Sequence, residues 1–359
     1  MNATHSAPPF LQDTLGAIRP IDTSWYAQAA ERLDQLTKPP GSLGRLERLA
    51  AQCYAICAGL PSVPVRKAAY VFAADHGVTQ EGVSAYPSAV TAQMVENFLR
   101  GGAAINVFAR VHDVALTIID AGVDAEFSES SALWHRKIRR GSRNLHREPA
   151  MSTSELEQAL RVGLEAAEDA RLNDYLMVAA GEMGIGNTTS ASAITAALTG
   201  QPVEVVTGSG TGIRTEALEH KQRIIREALS RHLSGANSPL EALRCVGGLE
   251  IAAMSGFFLG AAQHRRLIVV DGFIATAAAA LSVALAPAAR DYMFAGHRSE
   301  EPGHACLLRH LDLEPVLDLR MRLGEGTGAV LAMPVIDTAA HMIAEMATFA
   351  SAGVSSAVP

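Results

Sequence analysis

A chain of 359 residues, 48% apolar and 19% charged, is globular and corresponds to roughly two domain-sized units or one large domain with an appendage, which excludes disorder over its length. The balance of 30 Lys+Arg against 37 Asp+Glu, net −7, excludes a nucleic-acid footprint; the one dense basic cluster, Arg136-Lys137-Ile138-Arg139-Arg140, reads as a solvated face. Four scattered cysteines, Cys53, Cys57, Cys245 and Cys306, have neither zinc-finger spacing nor a disulfide framework and read as thiols of a reducing cytoplasm.

The N-terminal stretch, with Asp13 and no apolar core, does not read as a signal peptide, and its first few residues are expected to be mobile. Trp25–Leu36 has helical spacing. Lys38-Pro39-Pro40-Gly41-Ser42-Leu43-Gly44 then breaks it, and Arg45–Ala58 resumes a helix. From there short apolar runs alternate with amphipathic segments. The predicted strands are Ala69–Ala73, Ala115–Ile119, Tyr175–Ala179, Glu204–Val206, Leu267–Val270 and Tyr292–Ala295. The predicted helices are Ser88–Arg110, Ser152–Asn173, Thr189–Leu198, Thr215–Leu233, Leu240–Ala262, Ile274–Ala286 and Gly328–Ala350. The longest uncharged stretch, Gly272–Ala289, is rich in alanine and broken by Pro287, so it predicts a buried helix and no membrane span. The tail Ser351–Pro359 reads as disordered. Strands apolar throughout and separated by helices predict an α/β fold, a parallel sheet covered on both faces. Residues 1–65 with 335–359 are expected to form a small helical cap, and 66–334 a large α/β catalytic domain.

In open parallel sheets ligands bind beyond the carboxyl ends of the strands, so the loops there carry the chemistry. Gly181-Glu182-Met183-Gly184-Ile185-Gly186-Asn187-Thr188-Thr189 opens a helix. It fits an anion site, or a tight turn with Asn187 or Thr188 as helix cap. Gly208-Ser209-Gly210-Thr211-Gly212 fits an ordinary loop or a phosphate cradle. Lys221 behind it could carry an ammonium to a phosphate or sit solvated on its helix. Asp75, His76, Asp271, His297 and His304 are of metal-ligating type, but no pair has H-E-x-x-H spacing, and no metal is expected. In Leu323-Gly324-Glu325-Gly326-Thr327-Gly328 a carboxylate flanked by glycines fits a general base, and equally an acid at a helix N-terminus.

Together these loops resemble one family. The blocks are Thr37–Glu47 (TKPPGSLGRLE), Ala74–Val78 (ADHGV), Tyr86–Arg110, Gly181–Ser190 (GEMGIGNTTS), Gly208–Gly212 with Lys221, Gly247–Gly260 (GGLEIAAMSGFFLG), Val270–Ala280, Gly296–His304 (GHRSEEPGH) and Leu323–Thr338 (LGEGTGAVLAMPVIDT). Running in unbroken order from about residue 20 to about residue 350, they are similar to the nicotinate-nucleotide–dimethylbenzimidazole phosphoribosyltransferases.

The resemblance implies a Rossmann-like parallel sheet with helices on both faces, a small helical domain from both chain ends, and a homodimer; a cytoplasmic location is the default expectation from the composition and the lack of a signal-peptide pattern. It implies transfer of phosphoribose from nicotinate mononucleotide to 5,6-dimethylbenzimidazole, giving α-ribazole 5′-phosphate and nicotinate for the lower ligand of cobalamin, with no cofactor. Another azole, a purine or a phenol is the alternative acceptor. Glu325 matches the family's catalytic carboxylate, Glu182 an acid beside the ribose, and Lys221 a lysine near the phosphate. Gly184, Gly208, Gly210, Asp271, Ser299 and Gly324 match positions around the nucleotide. Tyr86, Met94, Met183 and Leu323 match the benzimidazole pocket, where one form of the pattern has small polar residues in place of Tyr86 and Met94.

Overall fold

The computed structural model describes residues 7–128, 132–208, 210, 215–233 and 238–355. Among them seven strands form one sheet: β1 (Lys67–Ala74), β2 (Val114–Gly122), β3 (Leu133–His135), β4 (Met177–Met183), β5 (Leu267–Val270), β6 (Met293–Ser299) and β7 (Pro315–Met321). Every pairing is parallel and the order is β3-β2-β1-β4-β5-β6-β7. Its first six strands follow the doubly-wound dinucleotide-fold order, with the switch point between β1 and β4.

The helices are α1 (Pro9–Ala17), α2 (Ser24–Gln35), α3 (Arg45–Cys57), α4 (Ala89–Leu99), α5 (Ala104–Val111), α6 (Thr153–Leu172), α7 (Asn187–Thr199), α8 (Val203–Val206), α9 (Thr215–His232), α10 (Pro239–Val246), α11 (Leu249–Gln263), α12 (Phe273–Leu285), α13 (Pro302–His310), α14 (Thr327–Glu345) and α15 (Phe349–Ala352). Side chains alternate across a strand, which tells the two faces apart. Tyr70 and Phe72 of β1 set their rings against Phe257 of α11. Gly181 of β4 pairs with the alternate residue, Val71, and meets the chain at the start of α14, so α11 and α14 lie on opposite faces. On the α11 face, a Cβ on Gly163 of α6 would lie 1.8 Å from the Ala253 carbonyl, and one on Gly256 of α11 would lie 2.1 Å from that of Leu160. Glycine lets these two backbones touch. Both chain ends meet as well: the Thr37 N–H donates to the Ala347 carbonyl (3.0 Å), and Arg32 reaches the Ile343 carbonyl from α2.

Several elements differ from the sequence reading. Glu204–Val206 is not a strand but the helical turn α8 behind Pro202; a run of three apolar or mixed residues has no period to read. The predicted helix Ser88–Arg110 divides into α4 and α5 at Gly101-Gly102, where Gly101 has φ +75°. Leu240–Ala262 divides into α10 and α11 at Gly247-Gly248, both extended. Strand β4 runs on to Met183, so Glu182 stands in the strand and not in the loop after it. β7 has no counterpart among the predicted strands because it is an edge strand carrying Asp318, Arg320 and an exposed Leu319. Ser351 and Ala352 close α15, whereas 1–6 and 356–359 lie outside the described residues. The basic cluster is paired: Arg136 with Glu165, Lys137 with Asp120, Arg139 with Glu155 and Arg140 with Glu126. Among the described residues one helix, α14, is long and apolar enough to cross a membrane, and Val330, Met333, Ile336 and Ile343 along it are buried in the core.

Candidate active site

Beyond the carboxyl ends of β4 to β7 lies a cavity of about 490 Å³. It brings together Tyr86, Met94, Glu182, Met183, Gly184, Gly210, Asp271, Ser299, Leu323, Gly324 and Glu325, eleven of the residues singled out from sequence. Lys221 stands just behind the wall and donates from Nζ to Thr188 Oγ1 at 2.8 Å. Gly208 does not line the cavity. It backs Glu301, because a Cβ there would lie 2.1 Å from Glu301 Oε2. Of that glycine loop, Ser209, Thr211 and Gly212 lie outside the described residues.

Glu325 sits in a strained turn. Gly324, Glu325 and Gly326 all have positive φ, +84°, +62° and +90°, and only the glutamate bears the steric cost. The turn presses onto the sheet, where a Cβ on Gly181 would lie 2.1 Å from the Glu325 carbonyl oxygen. Its carboxylate accepts the Ile105 N–H at 3.2 Å, from the first turn of α5. Burial raises its pKa, the Ile105 N–H opposes this, and the nearby Asp271 charge raises it further. Asp271 is itself committed to the protein. Its two oxygens accept the Gly326 and Ala329 N–H groups at 3.2 and 2.9 Å, which caps α14 and fixes the Glu325 turn.

Glu182 is buried against Gly324, accepts from Asn187 Nδ2, and is pushed up to about 8, first by burial and then by Glu250 and Asp271. This has a pH consequence. The folded chain keeps that proton up to about 8, while the unfolded chain releases it near the ordinary 4.5, so wild-type stability falls as pH rises between them. Glu182→Gln removes the loss. Its melting temperature is therefore expected to gain on wild type from pH 5 to pH 8.5, and an unchanged difference in thermal melts at the two pH values would sink the assignment.

At the other end of the cavity, burial draws the Lys221 ammonium down to about 8 while Glu301 opposes. Arg322 donates to the Gly210 carbonyl at 3.2 Å. The first turn of α7, with Asn187 and Thr188, opens into the same space, so cationic side chains and helix amides converge on one anion-sized region. Glu301, Arg322 and the Asn187–Glu182 bond were not assigned roles from sequence. The contiguous acidic and basic residues of 296–304 and 320–322 were the only signal for the first two. Tyr86 and Leu323 are exposed at 54% and 57%, which puts apolar surface at the mouth.

The metal-type residues are dispersed. Asp75 accepts the Asp124 N–H, and His76 pairs with Glu250. His304 bonds the Ser299 N–H and Thr276, and His297 stands 3.7 Å from Asp271. Among the described residues no three His, Cys, Asp or Glu side chains group to hold a metal ion.

Comparison with known proteins agrees with this geometry. A family model described as Phosphoribosyltransferase matches residues 18–354. The nicotinate-nucleotide–dimethylbenzimidazole phosphoribosyltransferase of Geobacter metallireducens is 49% identical over 344 residues, 96% of this chain and 98% of that one. The protein of the same name from Chloroflexus aurantiacus is 49% identical over 348 residues, 97% and 99% of the two chains. The crystal structure of CobT from Thermus thermophilus superposes with a TM-score of 0.89 at 50% identity, covering 92% of this chain and 99% of that one. The chain therefore belongs to the phosphoribosyltransferase family in which these relatives stand, and it is an enzyme of that family.

Proposed function

We propose that the protein transfers the phosphoribosyl group of nicotinate mononucleotide to 5,6-dimethylbenzimidazole, giving α-ribazole 5′-phosphate and nicotinate. The observation that carries the reading is Glu325, a carboxylate held in a glycine turn and aimed into a cavity with a cationic end and an apolar mouth. The relatives' shared name supplies the substrates.

The chemistry fits the residues. A benzimidazole nitrogen attacks C1′ while the bond from C1′ to the pyridinium nitrogen breaks and its electron pair neutralises that ring nitrogen in the departing nicotinate. The attacking ring becomes cationic, its other N–H turns acidic, and Glu325 takes that proton. Attack opposite the leaving group converts a β-nucleotide into an α-nucleotide in one displacement, with no covalent enzyme intermediate. Glu182 lies beside the ribose; it keeps its proton up to about 8, so its carboxyl offers the ribose a hydrogen bond and adds charge stabilisation at an oxocarbenium-like C1′ only above that pH. Ser299 and Gly210 receive the phosphate, with Lys221 near it behind Thr188 and with Gly184 and Gly324 around the nucleotide. Met183, Leu323, Tyr86 and Met94 receive the aromatic acceptor. Asp271 acts through the turn it caps. The same reading has a homodimer, a small helical unit of residues 1–65 with 335–359 on a body of 66–334, cytoplasmic location and no cofactor. Arg32 of α2 on the Ile343 carbonyl and the Thr37 N–H on the Ala347 carbonyl join the two chain ends and support that grouping, while α14 runs through its boundary into the larger body.

The test is incubation with both substrates in EDTA, with α-ribazole phosphate followed by chromatography. Product formation supports the reaction class. Nucleotide binding without product would favour another acceptor, an azole, purine or phenol. The bulk of Tyr86 at the mouth and Met94 in the cavity wall motivates that second reading, and an acceptor panel would decide it.

A further inference from the structure

We propose that His304 is a positioning residue for the nucleotide phosphate, acting as a neutral imidazole that fixes Ser299; this rests on the reading of the cavity given above. His304 lies in α13, is fully buried, and touches two cavity walls. Its Nδ1 is 2.9 Å from the Ser299 backbone nitrogen, and its Nε2 is 3.0 Å from Thr276 Oγ1. Thr276 Oγ1 is in turn 2.7 Å from the Gly272 carbonyl.

Counting protons settles the tautomer. The Ser299 N–H can only donate, so Nδ1 holds a lone pair. The Gly272 carbonyl can only accept, so it takes the single hydroxyl proton of Thr276. Thr276 Oγ1 then accepts, and Nε2 carries the hydrogen. The ring is neutral, with no nitrogen left for a ligand, a metal or proton transfer. Burial also draws its pKa down to about 3, helped by the neighbouring His297 and Arg298, so neutrality holds across the working pH range.

The effect is on shape at the end of β6 and the start of α12. Both Ser299 and Gly272 line the cavity. With the Ser299 N–H turned inward to His304, the side chain faces the cavity. The Glu301 N–H reaches the Ser299 hydroxyl oxygen at 3.4 Å, which leaves the hydroxyl proton to donate to a phosphate oxygen. The approach of α13 needs Gly303, since a Cβ there would lie 2.5 Å from the Phe273 ring at the start of α12.

Two substitutions separate the two bonds. In His304→Asn the amide oxygen takes the place of Nδ1 and keeps the Ser299 N–H satisfied. In His304→Gln the amide nitrogen takes the place of Nε2, keeps Thr276, and abandons Ser299. His304→Asn is expected to hold KM for nicotinate mononucleotide within about twofold of wild type, and His304→Gln to raise it roughly tenfold or more, the scale of losing the partner of a buried N–H. Melting temperatures of both should fall alike, which sets folding apart from positioning. Equal KM values in the two variants, or a larger effect in His304→Asn, would overturn the proposal. Ring nitrogen NMR on the wild type gives a readout apart from activity. A neutral Nε2–H tautomer from pH 5 to 9 is expected, and an imidazolium at pH 6 would overturn it. If the wild type fails to turn over the nucleotide, the reaction assignment fails by itself. The NMR result and the affinities of the two variants for inorganic phosphate then decide His304.

Discussion

Glu325→Gln is expected to lower kcat by about 10²- to 10⁴-fold while leaving the Kd for nicotinate mononucleotide within a few-fold of wild type. Glutamine keeps the length and can still accept the Ile105 N–H that holds the side chain, so the strained turn and its contact with Gly181 persist. What is lost is the ability to take a proton. A general base contributes only part of the acceleration, and the remainder comes from holding two substrates in line, which the substitution leaves in place. The pH profile gives a second test. Burial, with Asp271 reinforcing, raises the Glu325 pKa above its ordinary 4.5, so wild-type kcat falls on acidification through a value above the usual carboxylate range. The variant lacks that acid limb. Chromatographic turnover with calorimetric binding of the nucleotide decides the matter, and a kcat within threefold of wild type would remove Glu325 from the mechanism.

The sequence made the strand-end loops legible because glycines there mark close backbone approach. Gly181 lies beneath the Glu325 turn, Gly184 beside the Ala74 carbonyl, and Gly324 against the Glu182 carboxylate. The central strands were legible because they are buried on both faces and read as unbroken apolar runs. What escaped had no local signature. β7 is half solvated, so its pattern is mixed. Gly101-Gly102 and Gly247-Gly248 lie inside the predicted helices Ser88–Arg110 and Leu240–Ala262, yet a Cβ on Gly248 would lie 2.3 Å from His76 Cε1, so the second break admits a ring from the loop after β1. Pairings such as His76 with Glu250, 174 positions apart, are set by topology alone.

That pair carries the largest expected effect on stability. His76→Ala should destabilise by about 3–5 kcal/mol, because breaking a buried ion pair on one side strands the other charge. His76 Nε2 is 2.5 Å from Glu250 Oε1, both side chains are fully buried, and Glu250 Oε2 has no hydrogen-bond partner among the described residues. Ser190 Oγ lies 3.1 Å from the Gly247 carbonyl, to which it gives its proton, so it accepts from His76 Nδ1. One further proton is then shared between the ring and the carboxylate, and the pair is neutral as a unit. Taking an unfolding entropy of about 2.1 cal/mol/K per residue, the loss lowers the melting temperature by about 4–7 °C. Glu250→Gln should cost far less, about 1 kcal/mol, because the amide N–H can donate to the Nε2 lone pair of a neutral ring that keeps its Nδ1–H on Ser190. The double variant His76→Ala/Glu250→Gln should recover part of the loss seen in His76→Ala, since no charge is left stranded. Additive losses in a thermal or denaturant cycle would show the two side chains to be independent. The same cycle reaches the active site, because Glu250 is the largest charged influence on Glu182. A stranded Glu250 carboxylate holds Glu182 protonated to higher pH, and Glu250→Gln releases its proton at lower pH, so the two single variants should displace in opposite directions the upper end of the pH range over which Glu182 lowers stability.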